Sequence, residues 1–393
     1  MQHRFVTLRY SLLQVVVWGS CAVILPYAPS LFRAFDFSDA GYSLMFGIAC
    51  VAAIAVQMWF AELVTRLRRL THQRMLMILG AAMFLLCAAM LIFRDERYVA
   101  VLSLSALAIL VQTLQALVNS LGVAGMNSGM RINFGIARGI GSLGYALFAY
   151  LIGAAISRTG VFAVPKAYAL VSLSLIVLAA TFPKTTVMQP ADKKTEAKGG
   201  SLALLCNRRF ALLIAAATLL FTSNNMLVNY LYQIIIDRGG NEANQGTASA
   251  IAAIMELPIM FLFANLIKWR DSAFWLKLSG IFISLKALLC LLSGSVAGIY
   301  AAQLMQMLGY AVLSVGTVYY IRSIMPPEQV TRSQSMFAAT QVMGSVLVFA
   351  TGGFVLAKFS VQALIGISLA CGVLGAALLF LCVKKTSLRS ECA

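Results

Sequence analysis

The chain has 393 residues, 61% of them hydrophobic and only 11% charged, with a formal net charge of +17. A water-soluble domain holds about a quarter of its residues as charges, so this composition excludes a soluble catalytic domain with a polar surface. The basic excess does not point to nucleic acid, because Lys and Arg fall in short stretches between apolar blocks and form no continuous patch.

The apolar residues come in blocks, such as 12–25 and 211–221, approaching the ~20 residues a helix needs to cross a ~30 Å hydrocarbon layer. The basic residues 1–10 lead into a block too long for a signal-peptide core, which predicts a retained first helix. Twelve spans are predicted, at roughly 10–32, 41–63, 75–93, 98–120, 134–157, 163–182, 209–235, 245–267, 273–293, 296–321, 331–357 and 360–383. With both termini in the cytoplasm, seven of the 30 basic residues fall outside (Arg33, Arg94, Arg97, Arg158, Lys166, Arg238, Lys358), two lie within spans (Arg138, Lys286), and 21 fall inside. That is the positive-inside bias of a multi-pass membrane protein.

The longest interior polar segment, 185–209, follows the sixth span. It predicts an N-terminal six-helix bundle over 1–182, a cytoplasmic linker over 183–208 and a C-terminal six-helix bundle over 209–393. The predicted fold class is an all-α membrane protein of two pseudo-symmetric bundles around a central cavity; the symmetry comes from hydropathy, since no sequence repeat joins the halves. Seven cysteines lie in or beside apolar stretches and Cys392 lies in the tail, without metal spacing; free thiols are the expectation. His3 and His72 fall in cytoplasmic segments and are assigned no role.

Four stretches carry a family resemblance: FGIARGIGSLGYA at 134–146, PYAP at 26–29 with FSDAG at 37–41, IMELP at 254–258, and VG at 315–316 with YYI at 319–321. In order and spacing they resemble helices five, one to two, eight and ten of the lactose-permease-like proton symporters of oligosaccharides and nucleosides. The resemblance implies the major facilitator fold and a bacterial cytoplasmic membrane, and it covers most of the chain thinly. There are departures. In AELVTRLRR at 61–69, Thr65 stands where the family has Asp; the helix-ten His and Glu positions are Gln306 and Gly309; the helix-nine Arg is Lys286; the helix-four carboxylate is Ser120, beside Asn119; and the helix-seven Asp falls at or near Asn225. Lactose is therefore not the expected substrate.

Glu256 is the only carboxylate well inside a span. A charge at that depth costs several kcal/mol unless it faces a cavity or a partner, so Glu256 is read as a solute ligand, a protonation site or both, against a fixed ion pair between helices. Pro258 nearby frees a backbone carbonyl. Lys286, in the middle of span nine, pairs with Glu256, closes the cavity, binds an anionic group, or snorkels to an interface. Arg138, Ser142 and Tyr145 stand at i, i+4 and i+7 on one helical face. A guanidinium fork suits vicinal hydroxyls or a carboxylate, and the Tyr145 ring suits a sugar or base; the bland reading is an arginine near the cytoplasmic end obeying the topology rule. Gly135, Gly139, Gly141 and Gly144 are read as close-packing sites. Asn119, Asn225, Asn229 and Gln306 join the candidate solute ligands, either in a hydrated cavity or as interhelical hydrogen bonds.

No nucleotide-binding Gly-Lys loop occurs, which disfavours ATP-driven transport, and no Ser/His/Asp constellation supports an enzyme. The prediction is a monomeric, cofactor-free secondary transporter that moves a small polar solute, a sugar or glycoside first, by alternating access, with Glu256 and Lys286 coupling it to protons. Uncoupled facilitation or export of a nucleoside or small organic acid is the rival. A non-transporting receptor is disfavoured by loops of at most about 25 residues.

Overall fold

The computed structural model describes residues 6–66, 71–130, 132–183 and 201–384, and the regular elements among them are all helical. The linker residues 184–200, Arg68, Arg69, Arg131, His3, Cys392 and the side chains of the 61–69 motif lie outside the described residues. Twelve helices among the described residues are long and apolar enough to cross a membrane. In hydrocarbon a helix is the one open-chain structure that satisfies its own backbone, and that constraint makes these runs helical more than residue propensity does.

The chain divides into two compact units, one ending at residue 192 and also holding 240–254, the other holding 193–239 and everything from Met255. The first unit contains α1 (Val6–Ile24), α2 (Ala28–Ala34), α3 (Asp39–Arg66), α4 (His72–Ile92), α5 (Arg97–Asn127), α6 (Phe134–Thr159) and α7 (Ala163–Thr181). The second contains α8 (Arg208–Asn229), α9 (Leu231–Asp237), α11 (Ser272–Leu292), α12 (Val296–Gln303), α13 (Val312–Ile324), α14 (Pro327–Lys358) and α15 (Val361–Cys382). The division falls inside α10 (Glu242–Trp269), which contributes to both.

Element lengths repeat along the chain. α3 and α10 each have 28 residues and open on an acidic residue. α4 and α11 each have 21 and start at His72 and Ser272. The first span of each half breaks at a tyrosine, Tyr27 or Tyr230, and continues as a helix of seven residues. Polar side chains cap helix starts by accepting from exposed backbone N–H groups: Thr71 for α4, Asn133 for α6, Asn207 for α8, Asp271 for α11, Ser295 for α12 and Ser360 for α15. α1 and α8 are the most buried spans of their units, the inner helices against which the others pack.

In the first unit, small residues on α6 let α1 approach closely. A Cβ on Gly144 would come within 2.9 Å of Val15 Cγ1, and one on Gly141 within 2.8 Å of Trp18 Cδ1. Gly141 and Gly144 are thus packing glycines, whereas a Cβ on Gly135 would meet only Asn133 Oδ1, at 3.8 Å. In the second unit an apolar core joins Phe210, Leu213 and Leu220 of α8 to Leu276 and Ile283 of α11 and Leu379 of α15.

Candidate functional site

Among the described residues, three polar clusters stand inside the units, one in the first and two in the second. In the first, α1 presents Tyr10, Gln14 and Trp18 at i, i+4 and i+8, a single stripe. The Tyr10 hydroxyl donates to the Val118 carbonyl at 3.1 Å. Gln14 Nε2 donates to the Tyr10 oxygen at 2.8 Å and to Asn119 Oδ1 at 3.3 Å, and Gln14 Oε1 accepts from Trp18 Nε1 at 3.0 Å. The Trp18 indole then carries the Arg138 guanidinium over its face, 3.7 Å from the ring centroid. Arg138 also donates to Ser142 Oγ at 2.8 Å. The chain therefore runs from the α5 backbone through α1 to the cation on α6. A half-buried stack of this kind contributes about 1 kcal/mol.

Of the residues read from sequence, Arg138 and Ser142 are joined directly and Asn119 enters through Gln14. Tyr145 is half-buried beside Ala146, Ala250 and Ala253, the last two from the part of α10 that belongs to the first unit. Tyr10, Gln14 and Trp18 were missed. Their signal was available: polar and aromatic groups four apart in an otherwise apolar run, with a tryptophan in mid-span instead of at an interface.

In the second unit, Lys286 is 2% exposed on α11. Its Nζ donates to Gln306 Oε1 at 2.7 Å and to Asn224 Oδ1 at 3.4 Å. The other end of the Gln306 amide donates from Nε2 to Glu256 Oε1 at 2.9 Å. The amide thus faces a cation with its oxygen and a carboxylate with its nitrogen, the orientation that suits both charges. Burying either charge alone would cost far more than burying the bridged set. Glu256 is half-buried, two residues before Pro258 within α10, and so retains access that Lys286 lacks.

Asn225 points elsewhere. Its Nδ2 donates to the Gln341 carbonyl at 3.2 Å and to Ser345 Oγ at 2.9 Å on α14, and Gln341 Nε2 donates to the Tyr310 hydroxyl at 3.0 Å. Asn224 and Asn225, adjacent on α8, therefore serve two different clusters. Asn229 lies one turn on, half-buried at the end of α8. Asn224, Gln341, Ser345 and Tyr310 join the residues of interest; each is polar in a membrane span, but sequence alone does not tell a lipid-side hydrogen bond from an interior one.

The chemistry available is hydrogen bonding, ring stacking and proton exchange at a carboxyl group bridged to an ammonium. Among the described residues no group of three or more His, Cys, Asp or Glu side chains is placed to hold a metal ion.

The chain resembles solved transporters in fold. A variant of the nucleoside transporter NupG superposes with a TM-score of 0.83 at 14% identity, covering 96% of this chain and 100% of that one. A bacterial homologue of the iron transporter ferroportin in its inward-facing state gives 0.72 at 14% identity, over 97% and 99% of the two chains. An auto-inhibited peptide transporter of the POT family gives 0.69 at 14% identity, over 97% and 96%. No curated protein matches the sequence. The MFS_1-like family model matches residues 7–362. With twelve apolar helices among the described residues and that match across nearly its whole length, the chain belongs to the MFS_1-like family and is a multi-pass membrane transporter, not an enzyme.

Proposed function

We propose that this protein is a proton-coupled secondary transporter of a small neutral, hydroxyl-bearing solute, a sugar, glycoside or nucleoside, working by alternating access between two six-helix domains, 1–182 and 209–393. The observation that carries the reading is the Lys286–Gln306–Glu256 bridge. A proton on this half-buried carboxylate takes the bridged pair from neutral to a single positive charge, and the buried ammonium is then met by the Gln306 and Asn224 oxygens alone. Protonation changes the charge of the loaded carrier, which is what coupling requires. Arg138, Ser142, Asn119, Asn225, Asn229 and Tyr145 supply donors, acceptors and a ring suited to a polyhydroxylated substrate, and the likeness to a nucleoside transporter keeps nucleosides beside sugars. The basic residues favour a cytoplasmic membrane with both termini inside, and the working unit is the monomer.

Vesicles carrying the protein test this with labelled glucose, galactosides, uridine and adenosine under an imposed pH gradient. Accumulation should follow the gradient for one of these solutes in the wild type and should lose that dependence in Glu256→Gln. Gradient dependence persisting in Glu256→Gln would remove the carboxylate from coupling. The absence of a titratable group at positions 306 and 309 favours a second reading, an uncoupled facilitator in which the bridge is a fixed brace. In that case wild-type uptake equilibrates and ignores the gradient.

A further inference from the structure

The tenth span is not one α-helix. After α12 the backbone tightens into a 3-10 turn at Leu304–Gln306, widens into a π turn at Met307–Ala311, and then resumes as α13. Residues 304–311 read LMQMLGYA, with no proline to force the change. A π turn adds slack to a helix, and single turns of this kind concentrate at functional sites.

Two polar side chains stand four residues apart in this stretch, each bonded to a different helix. Gln306 bridges Lys286 of α11 and Glu256 of α10. Tyr310 accepts from the exposed Gln341 of α14, whose carbonyl in turn accepts from Asn225. Between them Gly309 bears on α11: a Cβ there would meet Ile283 Cγ1 at 3.1 Å and its backbone nitrogen at 3.3 Å. The segment has a bearing in its middle and one polar contact on either side of it.

We propose that residues 304–311 are the coupling element of this transporter, carrying the protonation state of Glu256 through Gln306 to the Tyr310–Gln341–Asn225 cluster, which is the part of the second unit that hydrogen-bonds a hydroxyl-bearing solute. The inference rests on the proton-coupled reading above. With Glu256 ionised, Gln306 is held at both ends by charge-assisted bonds, which are roughly twice as strong as neutral ones. A proton on Glu256 reduces one end to an ordinary hydrogen bond and leaves the ammonium holding the other. The amide is then drawn toward Lys286, and the π turn takes up the shift without unwinding the helix. One turn on, the same shift alters the reach of Tyr310 toward Gln341. That cluster suits a neutral ring with hydroxyls, because amide, carbonyl and hydroxyl groups offer both donors and acceptors and the Tyr310 ring offers a face, itself packed edge-on to Phe221 at 6.0 Å between centroids.

Other titratable groups on the elements packed around Glu256 are few. Lys286 and Cys290 lie on α11, and Tyr300, Tyr310, Tyr319 and Tyr320 on the tenth span, while Glu242, Lys268, Lys277 and Arg322 lie toward helix ends. α8 carries only arginines, at its start, and α14 carries Glu328, Arg332 and Lys358 toward its ends. Glu256 is the only carboxylate in mid-span among them.

Hydrogen exchange of the purified full chain tests this without a solute. Exchange is followed by mass spectrometry at about pH 6 and about pH 8 and corrected for intrinsic rates, for peptides covering 304–311 and 337–346. Wild type should change protection in both peptides by about threefold or more, and Glu256→Gln should abolish both changes. Tyr310→Phe keeps the ring but removes the hydroxyl, so 304–311 should still respond while 337–346 goes silent. A wild-type response confined to 304–311, or an undiminished response of 337–346 in Tyr310→Phe, overturns the coupling element and leaves proton coupling standing. Silence of both peptides in wild type overturns both.

Discussion

The guanidinium of Arg138 lies 3.7 Å from the centroid of the Trp18 ring, and Trp18 is itself fixed by its N–H on Gln14. The cation on α6 is therefore aimed by α1. A lysine at 138 would keep the charge but lose the planar fork that both stacks and reaches Ser142.

Arg138→Lys is accordingly expected to lower uptake of the transported solute about fivefold, the equivalent of about 1 kcal/mol for a half-buried cation–π stack, with at most a small change in thermal midpoint. Trp18→Phe should cause a smaller loss in the same direction. Uptake in vesicles, normalised to inserted protein, reads the effect. Wild-type uptake in Arg138→Lys would make the stack a packing feature only.

The close approach of α1 and α6 makes a prediction about stability. A Cβ at Gly144 would lie 3.0 Å from the Cα of Val15, a backbone atom that cannot swing away, whereas at Gly135 the nearest atom is Asn133 Oδ1 at 3.8 Å. Gly144→Ala should therefore destabilise by about 1–3 kcal/mol, the usual cost of overpacking, and Gly135→Ala by much less. Thermal unfolding in detergent compares the two. Equal midpoints would mean that α1 moves aside without cost.

How much of this was legible follows from what hydropathy can and cannot carry. Span nine, expected at 273–293, is found as Ser272–Leu292, and span five, expected at 134–157, as Phe134–Thr159. Apolar run length is set by bilayer thickness, so the spans were readable. The break at Tyr230 and the irregular stretch at 304–311 were not, since a hydropathy window averages over a turn and neither stretch holds a proline; the break at Tyr27 does carry a signal, Pro26 and Pro29 on either side, which the expected span 10–32 runs through. Glu256 and Lys286 stood out because charge is rare at that depth. That Gln306 would bridge them was not readable, because it depends on the face each helix turns inward, and a neutral amide in a span carries no such warning.

The bridge predicts non-additive stability. Lys286→Met leaves the Gln306 and Asn224 oxygens and the Glu256 charge without the ammonium they share, and Glu256→Gln leaves the ammonium without its carboxylate. Each single change should lower the thermal midpoint, and the double mutant should recover part of the loss, with a coupling energy of about 1–3 kcal/mol. Additive losses would show that the amide insulates the two charges and does not link them.

Topology can be read from a thiol. Cys206 is exposed in the 3-10 turn Ser201–Cys206 ahead of α8, while Cys21, Cys50, Cys87, Cys290 and Cys382 are buried and Cys371 is partly so. If the termini and the connection before α8 face the cytoplasm, as the basic residues indicate, a membrane-impermeant maleimide should label Cys206 in inside-out vesicles and spare it in intact cells. The measurement is best made in a Cys392→Ser background, so that the tail does not contribute. Labelling of Cys206 from outside intact cells would invert the orientation, and the proton gradient would then act on Glu256 from the opposite side.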